Sequence, residues 1–522
     1  MTDNERYDRQ IRLWGPHGQA AIQASTILFA GSDSTASEFL KNMVLHGVNN
    51  VIIVDDAIVT EKDLGSNFFV DADSLGKNRA ETVASLLTEL NPSSNITAIV
   101  AKPNDLAFLD NEKLDSNSFV LTSGNLKPSF LSELSDKCRE KHIRHAHIQT
   151  SGYFGAFYVD GGLHHFFEGS AQSQYPLEEL RILNPFPELV EFFDSLDFDK
   201  LDDAEHSHIV FPAILHRVRT SLLKELNVET LTSKNSVDVR AKIDSFRRLK
   251  KDPEPNADPF MDEPGIDEAH DNIFLIYGKP RLPLLAEECF MVSDMIGEVD
   301  EPFWQLVRAT QRFYKKYAAL PHYGGCPDME ASSAQYRKLK HVYLEKSEKD
   351  WAEISEDLKS RNVQIDEETF DRFRRNVWKI GGIQYKPLKE TLEKLPDEYC
   401  LYDDASIRLG IVQHLFIAVR RFIENNNRPP SNTEEDFSFL LAEIEKLKDK
   451  NVEQQLPEQF IIEREKFVRE FCRYKGEVLP SVVASFAAML AQEITKLIIK
   501  QANPVKGIVL YDAIHGLLNV AD

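Results

Sequence analysis

The sequence predicts an α/β fold that is interrupted by a large, mainly helical insertion and completed by its C-terminal segment. Residues 26–160 alternate short apolar runs with helical patterns, which is how strands and covering helices of a parallel sheet alternate. Strand signals nearly vanish between about residues 177 and 474, where long helical patterns take over. After residue 475 an apolar helix and a strand-like "GIVLYDAI" return. The expected layout is a first α/β part over 1–165, a helical insertion over 166–474, and completion of the α/β part by 475–522, with a sheet of the Rossmann kind.

Each element has its own warrant. "TILFAG" (26–31), "NVIIVDD" (50–56), "NITAIVA" (95–101) and "SFVLTS" (118–123) are short, β-branched runs bounded by polar or turn residues, as strands are. "RHAHIQTSGYFGAFYV" (144–159) continues the series, and helical patterns occupy 36–47 and 76–90 between the early strands. In the insertion, "EPFWQLVRATQRFYKKYAAL" (301–320) and "SIRLGIVQHLFIAVRRFIENN" (406–426) are helix candidates, whereas 251–272 and 425–436, rich in Pro, Asn and acids, read as surface loops. Val483, Ala487, Leu490, Ile494 and Leu497 fall at helical spacing, so 478–499 reads as a buried amphipathic helix. Gln492, Glu493 and Lys496 interrupt it too often for a bilayer span.

Bulk properties narrow the partners. The formal net charge is -23 over 522 residues, which repels nucleic acid and anionic membranes. No secretory leader is visible in "MTDNERYDRQIRLWG". Five cysteines are scattered without any CxxC, which fits a reducing cytoplasmic or nuclear setting and no zinc site.

The chemistry is concentrated in "ILFAGSDSTASEFLKN" (27–42). A dinucleotide loop needs glycines so that its backbone can approach phosphates at a helix N-terminus. After Gly31 this chain has Asp33, Ser34 and Ala36 instead, and Asp33 would set a carboxylate where phosphate oxygens belong. Around it lie "YDRQIRLWGPHGQ" (7–19), "VIIVDDAIVTEKDLGSNFF" (51–69) and "DSLGKNRAETVASLLTELNP" (74–92). In that order these stretches resemble the adenylating fold of the ubiquitin-like-protein activating enzymes and their bacterial sulfur-carrier relatives.

Against that family the chain departs at several positions. Competent members read GxGGxGSE at the loop, and here only Gly31, Ser37 and Glu38 match. Where they carry Arg and Gln in a segment like SNLNRQF, "KDLGSNF" offers Ser66 and Asn67. Their phosphate-binding lysine matches Arg79, which keeps charge but not geometry. Their metal-coordinating aspartate falls in "LTSGNLKP", where Ser123 and Gly124 bring no carboxylate. Asp55 stands where a ribose-binding acid belongs, and it reads equally as a strand-end residue capping local backbone.

The resemblance therefore implies a supportive half-site, with the active half on a separate chain. The long insertion, through "LRILNPFPELVEFFDSLD" (180–197), "HSHIVFPAILHRV" (206–218), "FWQLVRATQRFY" (303–314) and "LPHYGGCPDMEASSAQYRKLKHVYLEK" (320–346), together with "AAMLAQEITKLIIKQANPV" (487–505) after it, resembles the regulatory subunits of the neddylation-activating enzymes. That implies a non-catalytic scaffold subunit, bound to a catalytic partner that holds Mg-ATP, adenylates the ubiquitin-like modifier and takes it as a thioester. No cofactor is implied for this chain. A supportive subunit for another modifier such as SUMO, and a free-standing adaptor built on a dead fold, are the alternatives.

Among individual residues, Arg9 is the strongest candidate. Tyr7, Arg9 and Gln10 match the family's Y-x-R-Q segment, whose arginine crosses to the partner's ATP; an ion pair within the chain is the alternative. Cys326 in "HYGGCPDM" lacks the P-x-C-T context of the family's active cysteine and reads as an incidental loop cysteine, although His322 is near in sequence. His206 and His208 form an H-x-H without a third ligand nearby, so no metal site is expected.

Overall fold

The computed structural model describes residues 3–167, 177–251, 259–392, 403–448 and 458–521. The expected α/β fold with a large helical region is present. Strands β1 (Thr26–Ala30), β2 (Asn50–Val54), β3 (Asn95–Ile99), β4 (Ser118–Ser123), β5 (Arg144–Ser151) and β6 (Phe154–Asp160) form in chain order. Two short strands follow, β7 (Leu163–Phe167) and β8 (Ile380–Gln384), and then β9 (Ile508–Asp512) and β10 (Leu517–Ala521).

The main sheet has eight strands in the order β10-β9-β6-β5-β4-β1-β2-β3. Its β3-β2-β1-β4-β5 half is parallel, and β6, β9 and β10 are antiparallel additions. Every residue of β1 and β4 is buried, as befits parallel strands covered on both faces. The strand order reverses between β1 and β4, which pair with Ala30 opposite Thr122. Ligands of such folds bind at that reversal.

The helix Pro480–Ile499 covers this sheet. Val483, Ala487, Leu490, Ile494 and Leu497 are all buried, and the helix packs on Ser34–His46 and on the N-terminal helix Asp8–Ala24. It is long and apolar enough to cross a membrane, but its apolar residues face the protein interior.

The chain divides into two compact units, Met1–Ala171 with Ile383–Asp522, and Gln172–Gly382. This differs from the expected insertion over 166–474. The helices Asp404–Asn426, Glu434–Lys448 and Glu458–Tyr474 bury Phe416, Phe422, Phe467 and Phe471 in one core with Phe154, Ala156, Ile508 and Leu510 of the sheet. Periodicity reveals a helix but not the surface that it covers, so the sequence alone does not show that these helices share a core with the sheet.

The expected loop at 251–272 also needs revision. Residues 252–258 lie outside the described residues, and Pro264–Asp271 is a helix with Ile266 and Ala269 buried. Pro264 sits in its first turn, where the missing N–H costs nothing. The loop at 425–436 is shorter than expected. Asn427 ends the preceding helix at φ 57°, and the next helix starts at Glu434.

Candidate nucleotide cleft and N-terminal arm

The cleft lies at the β1/β4 reversal. Gly31 leaves β1 at φ 126°, a conformation that favours glycine, and the helix Ser34–His46 begins three residues later. Asp33 is the N-cap of that helix: its carboxylate accepts from Ala36 N at 2.9 Å. Its other oxygen accepts from Ser123 Oγ at 2.9 Å. The helix end that would hold a phosphate is therefore filled by a carboxylate of the chain, itself fixed from β4.

A second network closes the β2 side. Asp55 is 2% exposed and accepts from Ser32 N at 3.0 Å and from Arg79 Nη2 at 2.9 Å. Its remaining oxygen accepts from Ala57 N at 2.9 Å. Arg79 also donates to Asp63 Oδ1 at 2.8 Å. Burial pushes the Asp63 carboxyl up, but Thr60, through both backbone and hydroxyl, and the Arg79 guanidinium outweigh it and hold it below its ordinary value. Asn67 turns inward and donates to Ser32 O at 3.2 Å, whereas Ser66 is half-buried and its hydroxyl donates to Lys62 O.

Thus Ser32, Asp33, Asp55, Asn67, Arg79 and Ser123 come together, as the motif alignment expects, but they are bonded to one another. Arg79 sits between two carboxylates instead of facing open space. Asp55 takes the capping role, accepting from Ala57 N, and in addition anchors Arg79. Sequence reasoning missed Asp63, which the capping box Thr60–Asp63 could have flagged. The N-cap role of Asp33 was also readable, because Asp is a favoured cap residue.

The N-terminal arm is anchored on both sides of Arg9. Tyr7 is 3% exposed, accepts from Asn91 Nδ2 and lies against Gly47. Gln10 Nε2 donates to Leu45 O at 3.1 Å. Arg9 itself is exposed and makes no ion pair among the described residues, so the alternative of an intra-chain ion pair fails there. Leu13, one turn on in the same helix, is 69% exposed; Phe68, whose ring centre lies 5.8 Å from Lys41 Nζ, is 78% exposed.

The other candidates are structural. Cys326 is buried and burial pushes its thiol up to about 12, the opposite of an activated nucleophile. Burial lowers His322 to about 3, and its ring stacks on Tyr343 with centroids 4.8 Å apart. His206 Nδ1 pairs with Glu263 at 2.6 Å and His208 with Ser207 Oγ. Among the described residues no group of three His, Cys, Asp or Glu side chains could hold a metal.

The sequence profile of the ThiF family matches residues 7–143, the stretch that builds this cleft. The NEDD8-activating enzyme E1 regulatory subunit of Arabidopsis thaliana is 28% identical over 98% of this chain and 94% of its own length. The protein of the same name from Gallus gallus is 29% identical over 95% of this chain and 94% of its own. The chain is similar to these regulatory subunits over nearly all of its length. By contrast, SUMO-activating enzyme subunit 1 of Dictyostelium discoideum, 33% identical, matches 30% of this chain and 46% of its own length. The regulatory subunits thus align over nearly the whole chain, whereas the SUMO-type relative aligns over less than a third of it.

Proposed function

We propose that this chain is the regulatory, non-catalytic subunit of a heterodimeric activating enzyme for the neddylation modifier. The observation that carries this is the self-occupied cleft, where Asp33 caps the helix that phosphate would need and Asp55 and Asp63 engage Arg79. Mg-ATP does not fit these residues. Its phosphates would meet two carboxylates, and no aspartate stands near Gly124 to hold the metal except Asp33, which is already engaged.

In this reading a catalytic partner binds Mg-ATP, adenylates the modifier and carries its thioester. This chain contributes Arg9, held outward by Tyr7 and Gln10, to the partner's phosphates. A cation supplied across an interface stabilises charge that develops during adenylation, as an arginine finger does. The exposed Leu13, on the same helix as Arg9, and Leu45, whose carbonyl holds Gln10, form an apolar part of that interface. A cytoplasmic or nuclear location fits the scattered free cysteines, and cell fractionation checks it.

Size-exclusion chromatography with light scattering tests the pairing. Co-expressed with the catalytic subunit, the chain elutes as a one-to-one complex; expressed alone, it aggregates or recruits chaperones. A monodisperse monomer that ignores the catalytic subunit would favour a free-standing adaptor instead.

A further inference from the structure

Within the Gln172–Gly382 unit lies a cavity of about 640 Å³, a size typical of ligand sites. Its walls are largely apolar, with Ile182, Leu275, Leu282 and Leu320 among them. One stretch, Tyr277–Pro283, supplies much of the rim and carries Lys279 and Arg281. Both cations are exposed, and neither makes an ion pair among the described residues. The buried acid at the site, Glu179, does not oppose an anion there, because Arg181 Nη2 donates to it at 2.8 Å.

The backbone of this rim is also free. Beyond Gly278, whose N–H bonds to Leu231 O, the N–H groups of Lys279, Arg281 and Leu282 make no backbone hydrogen bond among the described residues. The stretch is not helical and bears two prolines, Pro280 and Pro283. Unpaired backbone beside an apolar hole suits an extended peptide, which gains affinity from main-chain bonds and specificity from a side-chain pocket. A small free acid would use the hole and the cations but not the backbone.

We propose that this cavity docks an extended, acidic peptide segment that carries a bulky apolar side chain. The apolar side chain fills the cavity, and flanking carboxylates meet Lys279 and Arg281. On a chain of net charge -23, two unpaired cations at the mouth of an apolar hole select acidic partners that the rest of the surface repels.

The test uses the full-length chain in complex with its catalytic partner. A library of N-acetylated pentapeptides, with acidic flanks and a varied central residue, is titrated by fluorescence anisotropy. Peptides with Phe, Leu or Trp at the centre bind, and their Asn/Gln-flanked counterparts bind at least about tenfold more weakly. The double variant Lys279→Glu, Arg281→Glu loses a similar factor while keeping the thermal midpoint of the parent complex. Ala319→Trp, which narrows the cavity, removes the preference for a large central residue. Three outcomes overturn the proposal: no library member binding, neutral flanks binding equally well, or the charge-reversed variant binding unchanged. Equal or better binding of free 4-phenylbutyrate would assign the cavity to small acids and overturn it as well.

Discussion

Ser123 donates a 2.9 Å hydrogen bond to Asp33 across the point where the sheet reverses its strand order. One residue ends β4 and the other caps the helix that follows β1, so the bond spans the mouth of the cleft. A phosphate placed at this helix end would meet the Asp33 carboxylate, which is already bonded to Ala36 N and Ser123 Oγ.

The first prediction follows from that bond. Isothermal titration of the isolated chain with Mg-ATP gives no binding in the micromolar range. Asp33→Gly does not restore it, because Asp55 and Asp63 still hold Arg79. The substitution costs only a few tenths of a kcal/mol as an N-cap change. Micromolar binding to either protein contradicts the self-occupied cleft.

Arg79 is expected to matter for stability. Arg79→Ala leaves two carboxylates, whose side chains are 3% and 11% exposed, without their cation. Breaking a buried pair in this way costs about 3–5 kcal/mol. Urea denaturation of the complex reads this loss, and a shift below about 1 kcal/mol would mean that water relieves the charges.

Arg9 is expected to behave in the opposite way. Arg9→Ala leaves the melting temperature and the assembly unchanged, since the residue is exposed and has no ion pair among the described residues. Single-turnover adenylation by the heterodimer slows by an amount on the order of 2–4 kcal/mol in activation free energy. An unchanged rate assigns Arg9 to the surface alone.

Asp436 is one acid-sensitive point of the fold. Arg428 binds this carboxylate at 2.7 and 2.8 Å, and that contact, with bonds from Ser431, holds it well below the ordinary range despite burial. A carboxyl depressed in the folded state adds stability above its unfolded value, about 4, and loses it as pH falls from there. The urea midpoint therefore drops below pH ~4, and Asp436→Asn, already weaker at neutral pH, shows a shallower drop. Parallel pH profiles for the two proteins would count against this assignment.

The thioester is expected on the partner only. Cys326→Ala leaves the reductant-sensitive adduct of the complex untouched, because its thiol is buried and pushed up to about 12. An adduct on this chain that disappears with the substitution would overturn the non-catalytic reading.

Much of the cleft was legible because it depends on residue types at fixed spacing near the β1 and β2 ends. The loss of glycines after Gly31, the retained Asp55 and the change to Arg79 all appear in the linear sequence. What Arg79 does was not legible, since its second carboxylate, Asp63, is fixed by the local turn at Thr60. The bond from Ser123 to Asp33 joins positions 90 residues apart, a distance that no local pattern reports. The helix of 406–426 is legible as a helix, but its docking with Phe154 and Ile508 depends on tertiary packing alone.

The antiparallel edge of the sheet sets an order on synthesis. Strand β6 pairs with β9, Phe154 opposite Asp512 and Tyr158 opposite Ile508. When β6 leaves the ribosome, its partner is still untranslated, and the intervening chain takes on the order of tens of seconds to appear. During that interval β6 offers an open hydrogen-bonding edge, and Phe154 lacks the Phe467 and Phe471 rings that later cover it. The nascent protein thus carries an adhesive strand until β9 emerges, so a product truncated before Ile508 aggregates rather than serving as a shortened scaffold.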